Sequence, residues 1–162
     1  MVTTQAPETV TIDTLLTAAD DAGKLLEGIV SQYGPVLDGG PDPGGWTPRQ
    51  VLSHVIGALQ RAPIHSGYFL DGDPSQPVPV MISDPYWIPE WGTAPLASFL
   101  LALRAAVAGN KAFLRTLDPA MLSRSRRMTF GELTLAQYLM VSYVGHTNSH
   151  IPQLNAFLQR ND

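Results

Sequence analysis

The residues of this sequence best suited to chemistry are its histidines, and there are only 4. His146 and His150 stand four apart. On an α-helix four residues advance ~6 Å and overshoot one full turn by only ~40°, so both imidazoles project from one face and can converge on one ion. His54 is distant in the chain but lies between Val51 and Leu59 in an apolar helical pattern. An imidazole there needs partners for both ring nitrogens, and a cation satisfies one of them while orienting the ring. Three histidines with an open fourth position describe a catalytic rather than a structural site for zinc or a similar ion. The bland alternative is a set of half-buried histidines bonded to backbone or hydroxyl groups, since an HxxxH pair alone is common by chance. His65 lies eleven residues after His54, on nearly the same helix face but ~16 Å further along. On a straight helix it is too far to share the ion, so it reads as a rim or passage histidine, or as a plain surface one.

Three neutral imidazoles leave a divalent ion its full charge, able to activate a water, polarise a carbonyl or hold a thiol as thiolate. Metal-assisted hydrolysis usually places a carboxylate base near the ion, as in HExxH helices. Here Thr147, Asn148 and Ser149 fill the HxxxH interval, and no acid follows His54 within two turns. Asp84, Glu90 or Glu132 would have to reach in from loops. Thiol chemistry needs no such base, because coordination itself ionises the sulfur. Helix geometry nominates Gln50 and Arg61 on the face of His54, Tyr143 before His146, and Gln153 after His150 as substrate-binding candidates. Arg61 can clamp a substrate carboxylate in bidentate fashion; as alternatives, it is a solvated end and Tyr143 a core residue. No residue is assigned as the catalytic acid or base.

The elements that must position these side chains are helical. Pro and Gly, 14 of each, cluster in two stretches, Gly34 to Gly45 and Asp71 to Pro95. Between them apolar residues recur at three- and four-residue intervals. A first helix is expected from about Ile12 to Tyr33, capped by Thr11 or Asp13. A second begins at Trp46-Thr47-Pro48, with Thr47 as cap and Pro48 at the first helical position. A third runs from about Ala94-Pro95 to Leu117. A fourth follows Thr134 and carries Leu135, Tyr138, Leu139, Ser142, Tyr143, His146, His150, Leu154 and Phe157. Pro152 should kink it and free the Asn148 carbonyl. No segment alternates with period two over enough length to suggest a sheet. The expectation is an all-α four-helix bundle, one domain over residues 1–162. The long Pro-rich link between helices 2 and 3 can cross the bundle end and let them run in the same direction. Its aromatic run, Tyr86 to Trp91, should pack down.

Composition narrows the function. The net charge is -4, with 10 basic against 14 acidic residues, and the densest basic stretch is Arg124-Ser125-Arg126-Arg127. That excludes nucleic-acid binding as the main role and reads as a surface turn or anion-contacting loop. With 0 cysteines, disulfides, thiolate zinc sites and a cysteine nucleophile are excluded. The apolar region Leu96 to Leu103 falls short of the ~20 residues of a membrane span, and the N-terminus carries no signal-peptide core. A cytoplasmic protein with a small-molecule substrate is expected, and an apolar bundle with Trp-bearing loops makes a homodimer plausible.

Two stretches resemble the DinB-like family of bacterial helical bundles. One is Trp46-Thr47-Pro48-Arg49-Gln50-Val51-Leu52-Ser53-His54-Val55, matching the family's Trp, Ser/Thr, then Val-Leu-x-His pattern. The other is Gly131-Glu132-Leu133-Thr134-Leu135 followed by His146-x-x-x-His150-x-x-Gln153. The resemblance implies an up-down-down-up bundle and maps the family's three metal ligands onto His54, His146 and His150. It also implies thiol chemistry, since characterised members include transferases and isomerases that use mycothiol or bacillithiol. Two departures stand out: Thr147 replaces a frequent acidic residue, and Arg49 stands where many members carry Glu. The reading is a metal-dependent thiol S-transferase acting on a small electrophile, with zinc or nickel and a low-molecular-weight thiol cosubstrate. The alternatives are a metal-dependent hydrolase or lyase/isomerase, and a non-catalytic metal or small-ligand binding protein.

Overall fold

The computed structural model describes residues 10–79 and 88–161. Helix α1 spans Ile12–Val30, opened by the Thr11 side chain, which accepts from the Thr14 amide at 3.2 Å. Helix α2 spans Pro48–Leu70. Thr47 and Gln50 cap it reciprocally: Thr47 Oγ1 accepts from the Gln50 amide, and Gln50 Oε1 accepts from the Thr47 amide at 2.8 Å. Helix α3 spans Leu96–Thr116. The last long helix is three pieces in series. Helix α4, Leu135–Met140, begins in a second such box between Thr134 and Gln137. A π-helical turn, Val141–Gly145, follows, and helix α5, His146–Leu158, completes it.

Side-chain contacts give the helix directions. Asp20 meets Lys111 and Glu27 meets Arg104, so α1 and α3 are antiparallel. Arg49 reaches the Ala94 carbonyl and Leu59 lies against Asn110, so α2 and α3 run the same way. His54 pairs with His146 and His65 with Tyr138, so α2 opposes the last helix. The result is the expected up-down-down-up bundle. The long link makes this order possible, because two helices pointing the same way need a connection that returns along the bundle. Leu15, Leu26, Leu52, Ile56, Leu59, Phe99, Leu103, Leu114, Leu135 and Leu154 are almost fully buried between the helices. Helices α1 and α3 approach closely at Gly23, where an added Cβ would stand 2.6 Å from Val107 Cγ2.

Helix α3 is by length and composition apolar enough to cross a membrane, contrary to the shorter stretch read from sequence. In the fold it packs on α1 and α2, with Phe99, Leu103, Asn110 and Leu114 buried and Arg104 and Lys111 in ion pairs with α1.

Two prolines sit within helices. Pro63 cannot donate to the Leu59 carbonyl; Asn110 Nδ2 donates to it instead at 2.8 Å, and Asn110 Oδ1 in turn accepts from the Tyr143 hydroxyl at 2.8 Å. Helix α5 runs on through Pro152 to Leu158. A π turn lies upstream of it, at Val141–Gly145.

A short sheet corrects the reading that no strand exists. Strand β1, Ser125–Met128, pairs antiparallel with β2, Gly131–Thr134, from Ser125↔Thr134 to Met128↔Gly131. Gly131, at φ 137°, supplies the backbone that the tight turn needs. Four-residue strands are too short to display a period of two. The basic stretch is occupied by the protein's own backbone: Arg126 Nε donates to the Tyr68 carbonyl at 2.8 Å, its Nη2 to Gly72 at 2.9 Å, and Arg124 to Leu70. These guanidinium groups satisfy carbonyls at the C-terminal end of α2, where cations are favoured. The link joins the hairpin through the Val78 amide, which donates to the Arg127 carbonyl at 2.9 Å. Trp91 is buried and stacks on Phe99 at 4.7 Å, whereas Tyr86 and Trp87 lie outside the described residues. Arg49 ties the start of α2 to the link's end through Ala94, and bonds Asp38 at 2.7 Å.

Candidate metal centre

Antiparallel packing of α2 against α5 brings His54, His146 and His150 together. One ring nitrogen from each falls within 4.8 Å of the others, and the ring centroids are 4.7–4.9 Å apart. The Nε2 atoms of His54 and His146 face each other at 2.8 Å.

Protonation follows from the neighbours. Burial pushes His54 down to about 4, helped by the charges of His150 and Arg61. It pushes His146 down to about 3, helped by His54, His150 and Arg61. Both are neutral at pH 7, the form in which an imidazole ligates. The third ring is held by a relay. Gln153 Nε2 donates to Asp42 Oδ2 at 2.6 Å, which turns Gln153 Oε1 toward His150 Nδ1 at 2.8 Å. An amide oxygen only accepts, so the His150 Nδ1 is the donor of this bond, and the ring's Nε2 is the nitrogen left for the cluster. Burial pushes the Asp42 carboxyl up, but hydrogen bonds from Gln153 and the Trp46 and Gly44 amides hold it below its ordinary value. The same Asp42 seats Trp46, whose amide donates to Oδ1 at 2.9 Å and whose indole meets the His54 ring edge-on at 4.9 Å.

The donor set fits a divalent cation. Two neutral imidazoles facing through Nε2 require one of them to carry a proton there, yet the Nδ1 atoms of both His54 and His146 are buried without a hydrogen-bond partner among the described residues. What fits a cation is the Nε2 side, where His54 and His146 would hold an ion through the two nitrogens that face each other at 2.8 Å.

The cluster closes one end of a cavity of about 440 Å³. Its walls are Trp46, Ala58, Arg61, His65, Phe130, Tyr138, Val141 and Ser142 beside the three histidines. The π turn decides which residues of the last helix face it. Successive four-residue steps in a regular α-helix drift ~40° each, which would carry Tyr138 and His150 apart by roughly a third of a turn. The wider turn, in which the His146 amide bonds the Val141 carbonyl, absorbs that drift. Tyr138, Ser142, His146 and His150 therefore all line one cavity.

The other sequence-derived candidates separate. Arg61 lines the cavity and is buried. Gln50 does not line it, because its side chain closes the cap on Thr47. Tyr143 does not either: the π turn rotates it into the core, fully buried on Asn110. Gln153 supports His150 from behind. Thr147 is buried in the helix packing, not in the cavity wall. His65, read from sequence as a rim or passage histidine or a plain surface one, is a buried cavity residue, in line with the passage reading, and its Nδ1 lies 2.9 Å from the Tyr138 hydroxyl. Sequence reasoning missed Tyr138, Ser142 and Phe130 as lining residues. The only sequence signal for the first two was their four-residue spacing from His146. The candidate carboxylates Glu90 and Glu132 are exposed, and Asp84 lies outside the described residues.

A family model described as the DinB superfamily matches residues 15–154. Among solved structures, the chain is similar to one described in the words "YfiT from Bacillus subtilis is a probable metal-dependent hydrolase with an unusual four-helix bundle topology". The two share 21% identity at a TM-score of 0.68, over 96% of this chain and 93% of that one, a likeness of fold. No curated protein matches the chain.

Proposed function

Because the chain belongs to the DinB superfamily, we propose that it is a metal-dependent enzyme holding one zinc or nickel ion on His54, His146 and His150, and that it transfers a low-molecular-weight thiol to a small electrophile. The observation that carries this reading is the convergence of three histidine rings in the wall of a largely apolar cavity. When bound, the ion supplies the charge that ionises a thiol or polarises an oxygen. The chain's own residues do the rest. The Asp42–Gln153–His150 relay fixes one ligand's tautomer, and Trp46 braces another. Ala58, Val141 and Phe130 line the space beside the cluster with apolar surface. Thiol chemistry is preferred because no carboxylate lines the cavity among the described residues. A physiological thiol of the mycothiol or bacillithiol kind accords with the family resemblance.

One observation favours a second reading, a hydrolase or a lyase/isomerase. The His65–Tyr138 pair lies in the same cavity and offers a group able to hold and pass a proton. The solved relative of like fold is itself described as a probable metal-dependent hydrolase. A non-catalytic metal-binding role would leave neither chemistry.

Elemental analysis of the purified protein beside His54→Ala tests the ion: near one per chain is expected in the parent and well below that in the variant. Retained stoichiometric metal in His54→Ala overturns the ligand set. Cobalt-loaded protein tests the chemistry. A charge-transfer band on adding thiol is expected, and its absence with every thiol tried sinks the transferase reading. Metal-dependent turnover without thiol would establish the second. A cytoplasmic location and a homodimer also belong to the proposal; sedimentation at micromolar concentration checks the latter.

A further inference from the structure

Beside the three-histidine cluster the cavity wall holds a second polar group, built from His65, Tyr138 and Ser142. His65 Nδ1 lies 2.9 Å from the Tyr138 hydroxyl. Ser142, one turn further along the last helix, hydrogen-bonds the same phenol. All three residues are buried, and the Tyr138 ring is fixed by stacking on Phe69 at 5.4 Å and 26°. The bond to Ser142 brings the hydroxyl to the level of that residue, and Ser142 precedes His146 by four residues, ~6 Å along the helix. Burial pushes the phenol up to about 12, against the pull of the Ser142 bond and the Arg61 charge. It therefore keeps its proton at neutral pH. Burial and then the Arg61 charge push His65 down, so its ring is neutral there too. A neutral imidazole protonated on Nδ1 donates to the phenol oxygen and leaves the phenol O–H to donate onward.

We propose that Tyr138 is the catalytic acid of this site, that His65 supports it through Nδ1–H, and that the electrophile it serves is an epoxide. In the step, the thiol's S–H proton leaves to water and the sulfur electron pair forms the new C–S bond. The C–O bond of the ring breaks onto oxygen, which takes the Tyr138 proton. Tyr138 recovers a proton from water, so the net change is addition of one thiol across the ring. Meanwhile His65 and Ser142 hold the phenolate by hydrogen bonds. An epoxide oxygen stays on the product and needs that proton, whereas a halide departs as a stable anion and needs none. A phenol made a weaker acid by burial still yields its proton to an alkoxide, which is the stronger base. The pair that a hydrolase or isomerase would use for proton transfer thus has a use in thiol addition. The inference rests on the transferase reading in naming sulfur as the attacking atom. The Tyr138 hydrogen bond to an anionic oxygen does not depend on it.

Two measurements test it. In metal-free, full-length protein, a bound nitrophenol reports its own ionisation by absorbance. Donation from Tyr138 favours the bound phenolate, so Tyr138→Phe should lower the phenolate-to-phenol ratio at least ~10-fold, as for loss of one hydrogen bond to a charged oxygen. His65→Gln should lower it less. An unchanged ratio in Tyr138→Phe, or no nitrophenol bound by the parent, overturns the proposal. In metal-loaded protein supplied with mercaptoethanol, styrene oxide and benzyl chloride present the same ring with the two kinds of leaving group. Tyr138→Phe should depress the epoxide rate at least ~100-fold more than the chloride rate. Equal losses would mean a structural role and overturn the acid step. If the parent turns over neither electrophile, the transferase reading and the epoxide class fail together, while the nitrophenol ratio still decides whether Tyr138 is the donor. If Tyr138→Phe fails to fold, His65→Gln is judged by the same two ratios.

Discussion

Gln153 Oε1 lies 2.8 Å from His150 Nδ1, and its orientation is dictated from the far side by Asp42, 2.6 Å from the amide nitrogen. A carboxylate that only accepts forces the amide to present its oxygen to the imidazole. A residue in the loop before α2 thus sets the tautomer of a candidate ligand on α5.

From that relay, Gln153→Ala should weaken metal binding by ~10–100-fold without removing it, the usual effect of deleting a group that orients a histidine ligand. Asp42→Asn should act in the same direction, since its amide can donate as well as accept and no longer imposes one orientation on Gln153. Competition with a chromophoric chelator measures both. Metal affinity equal to the parent's in Gln153→Ala would show that the relay orients nothing.

Besides the Ala106 carbonyl of its own helix, Asn110 serves the Leu59 carbonyl freed by Pro63 and the Tyr143 hydroxyl. It is 1% exposed, so Asn110→Ala leaves two buried polar groups without their partner. The expected destabilisation is about 2–6 kcal/mol, from ~1–3 kcal/mol for each unsatisfied group. Adding Pro63→Ala restores an amide donor for Leu59 within the helix and should recover part of the loss. Chemical denaturation of the two single variants and the double variant checks this, and strict additivity would contradict it.

Burial holds His54 near 4 and His146 near 3, below the ordinary 6.5. Below pH 6.5 the unfolded chain takes up protons that the folded, metal-free protein refuses. Stability is therefore fully present above that pH and declines as pH falls toward the folded values, with a slope of up to ~1.4 kcal/mol per pH unit for each histidine. Thermal melts of metal-free protein between about pH 7 and pH 4 should show it, and His54→Phe should flatten the slope. A profile that does not fall across that window would mean the two rings are solvated.

The helices were legible in the sequence because their causes are local. Thr47-Pro48 and Thr134 carry their own start signals, and the periodicity of Leu15 to Ile29, Val51 to Leu59 and Phe99 to Leu114 needs no partner to be read. The hairpin was not, since four-residue strands built on Ser125–Met128 and Gly131–Thr134 take their stability from Val78 and the end of α2, not from a pattern of their own. The basic run read as a surface turn or an anion contact for the same reason: the carbonyls it satisfies lie more than fifty residues earlier.

By itself, then, the sequence determined which helices form, that the link between the second and third must be long, and that His146 and His150 share a face four residues apart. Only the tertiary structure decided that His54 meets them, that Ser142 rather than Tyr143 faces the cavity, and that Gln50 and Gln153 act as cap and support. Spacing along one helix is set by backbone hydrogen bonds within it. Which faces of different helices meet, and where a π turn resets their phase, depends on packing across the whole bundle.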